Sequence, residues 1–249
     1  MSRATLRAAL AGERVVHGFS LRYAEPGILE RIGAGWDFAW LDLQHGDLDL
    51  KDVAALARVA DLVDVALLVR APESGVPLGR LLDLDVAGII APLVHDTERA
   101  RDVVRQTRFP PLGDRSFGGR RVIDRRGATY AETSRSDERV GCQIESPAAV
   151  SQARAIAALE GVDFLMPGPD DLALRRGIDD PAAAELALQA GRAACAVGKA
   201  WLAVVPDLEG ARRARAEGAT LVSLGSDHVF LSEGAGHARA ALHSLDQVE

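Results

Sequence analysis

Short apolar runs recur eight times along the chain, and an amphipathic stretch follows each one. The runs are Val15 to Leu21, Phe38 to Asp42, Val65 to Arg70, Gly88 to Ala91, Val140 to Glu145, Asp163 to Met166, Ala200 to Val205 and Leu221 to Leu224. Val65 to Arg70 is almost wholly aliphatic, as a strand covered on both faces must be. Strands that alternate with helices pair in parallel, and eight such units close into an α/β architecture, the (β/α)8 TIM barrel. A length of 249 residues with 48% hydrophobic content suits one barrel domain over 1–249. An open doubly wound sheet would carry a glycine-rich phosphate turn after its first strand, and none follows Leu21.

The helices read as Glu25 to Ile32, Leu50 to Ala60, Pro77 to Leu84, Thr97 to Thr107 (capped by Thr97), Ala148 to Leu159 behind Pro147, Pro181 to Val197, Leu208 to Glu217, and Asp227 to about Leu245. Arg108 to Glu138 breaks the pattern. It is rich in arginine, proline and glycine, with one helix from Thr129 to Arg135. Two roles are open to it. It is either a shaped lid whose Arg115, Arg120 and Arg121 hold an acidic group on a second substrate, or a solvated loop. A net charge of -7 argues against a general nucleic-acid or anionic-membrane binder. Cys142 and Cys195, without metal-binding spacing, fit a reducing compartment. No apolar run reaches the ~18 residues of a membrane span, and none resembles a signal peptide, so a soluble, cytoplasmic protein is expected.

In a barrel the site lies at the carboxyl ends of the strands. Those ends carry Asp42, Gln44 and His45, then Arg70, then His95, then Gln143 and Glu145, then Asp170 and Asp171. Strand alternation puts Gln143 and Glu145 on one face, opposite Cys142 and Ile144, and turns Arg70 away from Val69. Each side chain also has a structural reading: Arg70 paired with a nearby carboxylate, Glu145 and Asp171 as helix caps, His45 as a core histidine. Carboxylates without cysteine or clustered histidine make a hard, oxygen-rich site for Mg2+ or Mn2+. A 2-oxoacid would complete such a shell, and the ion would stabilise its enolate as a Lewis acid. The rival Schiff-base route needs a lysine. Lys51 opens a helix and Lys199 precedes a strand, so neither is well placed.

The segments Trp40 to Gly46, Leu68 to Arg70, Leu81 to Asp83, Arg108 to Gly113, Gln143 to Glu145 and Gly168 to Leu172 resemble the HpcH/HpaI aldolases, which are metal-dependent (class II) pyruvate aldolases. The resemblance runs from about Gly18 to Gly225. It implies Glu145 and Asp171 as metal ligands for Mg2+, Mn2+ or Co2+, and Gln143 with the backbone at Asp170 and Asp171 as the oxoacid cradle. It further implies Arg70 at the enolate oxygen and His45 as base, its basicity raised by Asp83. A last helix exchanged between subunits, a homo-hexamer and neighbouring-subunit loops beside the site are implied as well. Gln44 stands where many relatives have Glu, and Ala173 where serine is common, which marks a different branch. The expected reaction joins a pyruvate or hydroxypyruvate enolate to an aldehyde. An oxoacid decarboxylase, an acyl-CoA lyase and a non-catalytic oxoacid-binding oligomer are the alternatives.

Overall fold

The computed structural model describes residues 2–176 and 182–245. In chain order its elements are α1 (Ser2–Leu10), β1 (Val16–Leu21), α2 (Pro26–Ile32), β2 (Phe38–Asp42), α3 (Leu50–Leu62), β3 (Ala66–Arg70), α4 (Leu78–Leu82), β4 (Gly88–Ala91), α5 (Thr97–Thr107), α6 (Arg120–Arg126), α7 (Tyr130–Asp137), β5 (Arg139–Ile144), α8 (Pro147–Ala157), β6 (Phe164–Pro167), α9 (Pro169–Arg176), α10 (Ala182–Cys195), β7 (Ala200–Val205), α11 (Leu208–Ala216), β8 (Leu221–Ser226) and α12 (Asp227–Leu245). The strands pair in parallel in sequence order, and β8 returns to β1 to close the barrel. This is the expected (β/α)8 architecture.

Period-two alternation divides the core in two. Outward residues such as Leu41, Val69, Cys142 and Ile144 pack under the helices. Inward residues, among them Phe38, Trp40, Leu68, Ile90, Phe164, Met166 and Leu202, fill the barrel itself. The unexpected α1 closes the amino-terminal end of the barrel. Its buried Leu6 and Ala9 join Val16, Ala66, Ala200 and Leu221, which all lie at or near strand starts. Burying apolar side chains there keeps water out of the bottom of the barrel, so the polar inward positions are confined to the opposite mouth. No helix among the described residues is long and apolar enough to cross a membrane.

Several expectations need correction. Asp96, not Thr97, caps α5, its carboxylate accepting the Arg99 N–H at 2.8 Å. The expected helix start at Pro181 lies outside the described residues. Two helices add to the expected set: α6 forms inside the irregular Arg108 to Glu138 stretch, and α9 forms directly after β6, where no element was assigned.

The arginine-rich segment does not line this chain's cleft; most of its guanidinium groups pair with carboxylates, while Arg120 stays exposed. Arg115 is buried, with ion pairs to Asp83 at 3.0 Å and Glu138 at 2.6 Å, and it stacks over Phe109 at 4.6 Å. Arg121 pairs with Asp61, Arg120 with Asp124, and Arg125 with Asp85 at 2.6 Å. Arg126 reaches Asp137 at 3.0 Å and Glu138 at 3.2 Å. Arg108 binds Asp163 at 2.5 Å. Asp85, Glu138 and Asp163 sit just before β4, β5 and β6, so Arg108, Arg115, Arg125 and Arg126 brace the amino ends of the strands.

Candidate active site at the carboxyl ends of the strands

β2 and β3 pair with Asp42 opposite Arg70, both aimed into the barrel. The guanidinium grips the carboxylate with two bonds, Nε to Oδ1 at 2.9 Å and Nη2 to Oδ2 at 2.6 Å, and both residues are buried. A forked pair of this kind fixes the plane of the arginine as well as its position. Burial alone would raise the Asp42 carboxyl, but the hydrogen bonds and charge of Arg70, with the His45 N–H, hold it below the usual carboxylate value. The structural reading of Arg70 is therefore partly right: it does have a carboxylate partner. The bond still leaves Nη1 facing Gln143, whose Oε1 lies at 3.5 Å.

Asp42 also shapes the turn that follows it. Its Oδ1 accepts the backbone N–H groups of Gln44 at 3.2 Å and His45 at 3.1 Å. The turn presents an exposed His45 to the mouth of the barrel, where the histidine lines a cleft of about 860 Å³ with Arg70, Gln143, Asp170 and Asp171. Gln44 turns aside to Glu73 at 3.2 Å.

Glu145 follows β5 and is fully buried. It does not cap α8, a task taken by Ser146, whose Oγ accepts the Ala149 N–H. One Glu145 oxygen, Oε1, accepts the Leu93 N–H at 2.6 Å. Leu93 delivers that N–H from a left-handed backbone, φ 55°, a conformation that costs a non-glycine residue on the order of 1–3 kcal/mol. The other oxygen, Oε2, is buried without a hydrogen-bond partner. Burial pushes the Glu145 carboxyl upward; the Leu93 N–H opposes this, the charge of Asp171 adds to it, and Arg70 draws it back. Gly168 allows the approach from β6: a Cβ there would stand 2.9 Å from the Glu145 Cβ and 3.0 Å from Gln143 Nε2. Pro169 begins α9, so Asp170 and Asp171 occupy its first turn, where the helix dipole favours carboxylates, and both line the cleft.

An unpartnered buried carboxylate oxygen beside a second carboxylate fits a hard divalent cation. Among the described residues no cluster of three or more His, Cys, Asp or Glu side chains could hold a metal. Two protein carboxylates leave the remaining positions of such an ion to water and substrate oxygens, as Mg2+ commonly allows. Neither lysine reaches the cleft. Lys199 Nζ donates to the Val162 carbonyl at 2.6 Å at the amino end of β7, and Lys51 is exposed on α3.

The structure brings together His45, Arg70, Gln143, Asp170 and Asp171 around the cleft, with Glu145 beneath. Asp83 stands apart. It is the C-cap of α4, on the way to the amino end of β4, and its carboxylate binds Arg115. The expectation that it supports His45 within the same chain is corrected: the carboxylate under the His45 turn is Asp42. His95 is exposed near Ser146 Oγ, at 3.4 Å, and does not line the cleft. The residues that sequence reasoning missed are Asp42 as the Arg70 partner and Arg22 at the end of β1. Their signal was the strand-end position already used for the others.

A family model for the HpcH/HpaI aldolase/citrate lyase matches residues 22–233. Hydroxypyruvate/pyruvate aldolase of Deinococcus radiodurans is 33% identical over 243 residues, covering 93% of this chain and 87% of its own. 4-Hydroxy-2-oxovalerate aldolase of Rhodococcus jostii is 33% identical over 92% of each chain. The crystal structure of an HpcH/HpaI aldolase from Desulfitobacterium hafniense superposes with a TM-score of 0.85 at 28% identity, over 96% of this chain and 95% of that one. The chain belongs to the HpcH/HpaI aldolase/citrate lyase family and is a carbon–carbon lyase.

Proposed function

We propose that the protein is a divalent-metal-dependent aldolase that joins the enolate of pyruvate or hydroxypyruvate to an aldehyde, and cleaves the same bond in reverse. The observation that carries this reading is the unpartnered, buried Glu145 Oε2, beneath Gly168 of a cleft that Asp171, a guanidinium, an amide and an exposed imidazole line. Glu145 and Asp171 would hold Mg2+, Mn2+ or Co2+. When bound, that ion supplies a Lewis acid for the oxoacid carbonyl. Gln143 and the first-turn N–H groups of α9 at Asp170 and Asp171 bind the oxoacid carboxylate. Arg70, held rigid by Asp42, directs Nη1 at the oxygen on which negative charge develops, where a preorganised donor is most effective.

His45 removes a proton from C3 of the oxoacid, the carbon next to the carbonyl. Its ring is exposed at the cleft, and an imidazole is a common general base. The enolate carbon then attacks the aldehyde carbonyl, and the new alkoxide takes back a proton. Asp83 retains a part in this reading only across a subunit boundary, among the neighbouring-subunit loops that the family resemblance puts beside the site. The exposure of Leu231 and Leu242 on α12 supports exchange of that helix in a homo-oligomer, a hexamer by resemblance. The reading also carries Co2+ as a third competent metal and the cytoplasm as location.

The test is an aldol assay on purified protein with pyruvate or hydroxypyruvate and an aldehyde panel. Activity should vanish with a chelator and return with Mg2+, Mn2+ or Co2+. Borohydride added with pyruvate should trap no adduct on Lys51 or Lys199. Full turnover in chelated protein, or a trapped lysine adduct, would overturn the assignment.

A further inference from the structure

The cleft wall contains a second guanidinium that the proposed donor chemistry leaves unused. Arg22 follows the last residue of β1 and lines the same cleft as His45 and Arg70. Its backbone is fixed from both sides. The buried carboxylate of Asp227 accepts the Arg22 N–H at 3.1 Å with each oxygen and the Tyr23 N–H at 2.9 Å. The Arg22 carbonyl accepts the Asp47 N–H at 3.2 Å, which ties the end of β1 to the turn carrying His45. Gly46 makes that tie possible, because a Cβ there would stand 2.4 Å from the Asp42 carbonyl oxygen and 3.0 Å from that of Arg22.

The side chain is less committed than its backbone. Its Nε approaches Asp42 Oδ2 only to 3.8 Å and has no hydrogen-bond partner, although it is buried. Asp42 already gives both oxygens to Arg70. The Arg22 side chain is 42% exposed. A guanidinium that is anchored at its root, unsatisfied at Nε and open at its tip is suited to a carboxylate arriving from solvent.

We propose that Arg22 selects the acceptor: it receives the carboxylate of an aldehyde that carries one, above the oxoacid and beside His45. This rests on the aldolase reading and deepens it by naming the acceptor class. The role expected of the arginine-rich segment then falls to a residue of the cleft itself.

The test compares matched acceptors with pyruvate and Mg2+: glyoxylate against glycolaldehyde, and 4-oxobutanoate against pentanal. In wild-type protein and in Arg22→Gln, kcat/KM is measured for each. The ratio of charged to uncharged acceptor should fall about 10- to 100-fold in Arg22→Gln for at least one pair, chiefly through KM, as expected for losing a hydrogen bond to a charged group. Arg22→Lys, which keeps the charge and loses the fork, should give an intermediate ratio. Unchanged ratios for both pairs would overturn the proposal, as would an equal loss for charged and uncharged acceptors, which would make Arg22 a support for Asp42. A wild-type protein that forms no aldol with any acceptor would instead overturn the aldolase reading on which the proposal stands.

Discussion

The two ends of the barrel spend their charges differently. At the amino ends of the strands, guanidinium and carboxylate groups close on one another: Arg115 with Asp83 and Glu138, Arg3 with Asp85, Arg108 with Asp163. At the carboxyl ends, Glu145 Oε2 and Arg22 Nε are buried without hydrogen bonds, and His45 faces the cleft. Buried polar atoms without partners occur at both ends, Arg115 Nε and Thr220 Oγ1 among them at the amino end, so what sets the carboxyl end apart is that Arg22, His45, Arg70 and Gln143 converge on one cleft above Glu145. One end maintains the barrel and the other is built to bind.

That contrast breaks most sharply under substitution of Glu145. Glu145→Ala or Asp171→Ala should abolish turnover and metal binding while leaving the melting temperature of the metal-free protein little changed, read by calorimetry and metal titration. The opposite pattern belongs to the amino end. Removing one partner of a buried ion pair costs about 3–5 kcal/mol, so Glu138→Ala should lower stability in a denaturant titration by that order. Turnover per folded molecule should hold. If Glu138→Ala stopped the chemistry in folded protein, or Glu145→Ala unfolded the chain, the division between the ends would fail.

A smaller effect sharpens the comparison at the buried Asp42–Arg70 ion pair of the cleft. The Asp42 carboxyl is held below its usual value, so its pairing contributes full stability above about pH 4 and loses it as the pH falls through the depressed value. Stability curves of wild type and Asp42→Asn should therefore run parallel near neutrality and converge on acidification. Curves that stay parallel down to the acid transition would show that Asp42 does not stabilise through its charge.

Much of this was legible in the sequence because it is local. Phe38–Asp42, Gly88–Ala91 and Ala200–Val205 show their bounds in uninterrupted apolar character. Strand alternation alone put Gln143 and Glu145 on the face away from Cys142. The misses have physical causes. α1 has few apolar anchors, and Leu6 and Ala9 matter only because a barrel end waits for them. α9 carries legible signals, Pro169 and first-turn acids, within a stretch that also reads as a turn. The pairing of Asp83 with Arg115, like that of Arg115 with Glu138, joins residues far apart in the chain and leaves no local mark. Arginines in a glycine- and proline-rich stretch look solvated until their carboxylates are located.

The central claim is that the carboxyl end performs metal-assisted proton abstraction from an oxoacid with His45 as base. Proton NMR of deuterium exchange into the pyruvate methyl group, with Mg2+ and no aldehyde, measures that step alone. Exchange should require Mg2+, stop with a chelator, and slow by about 10²–10⁴-fold in His45→Ala, the usual cost of losing a positioned general base, with little change in pyruvate affinity. Exchange at the wild-type rate in chelated protein, or in His45→Ala protein that has lost only pyruvate affinity, would contradict it.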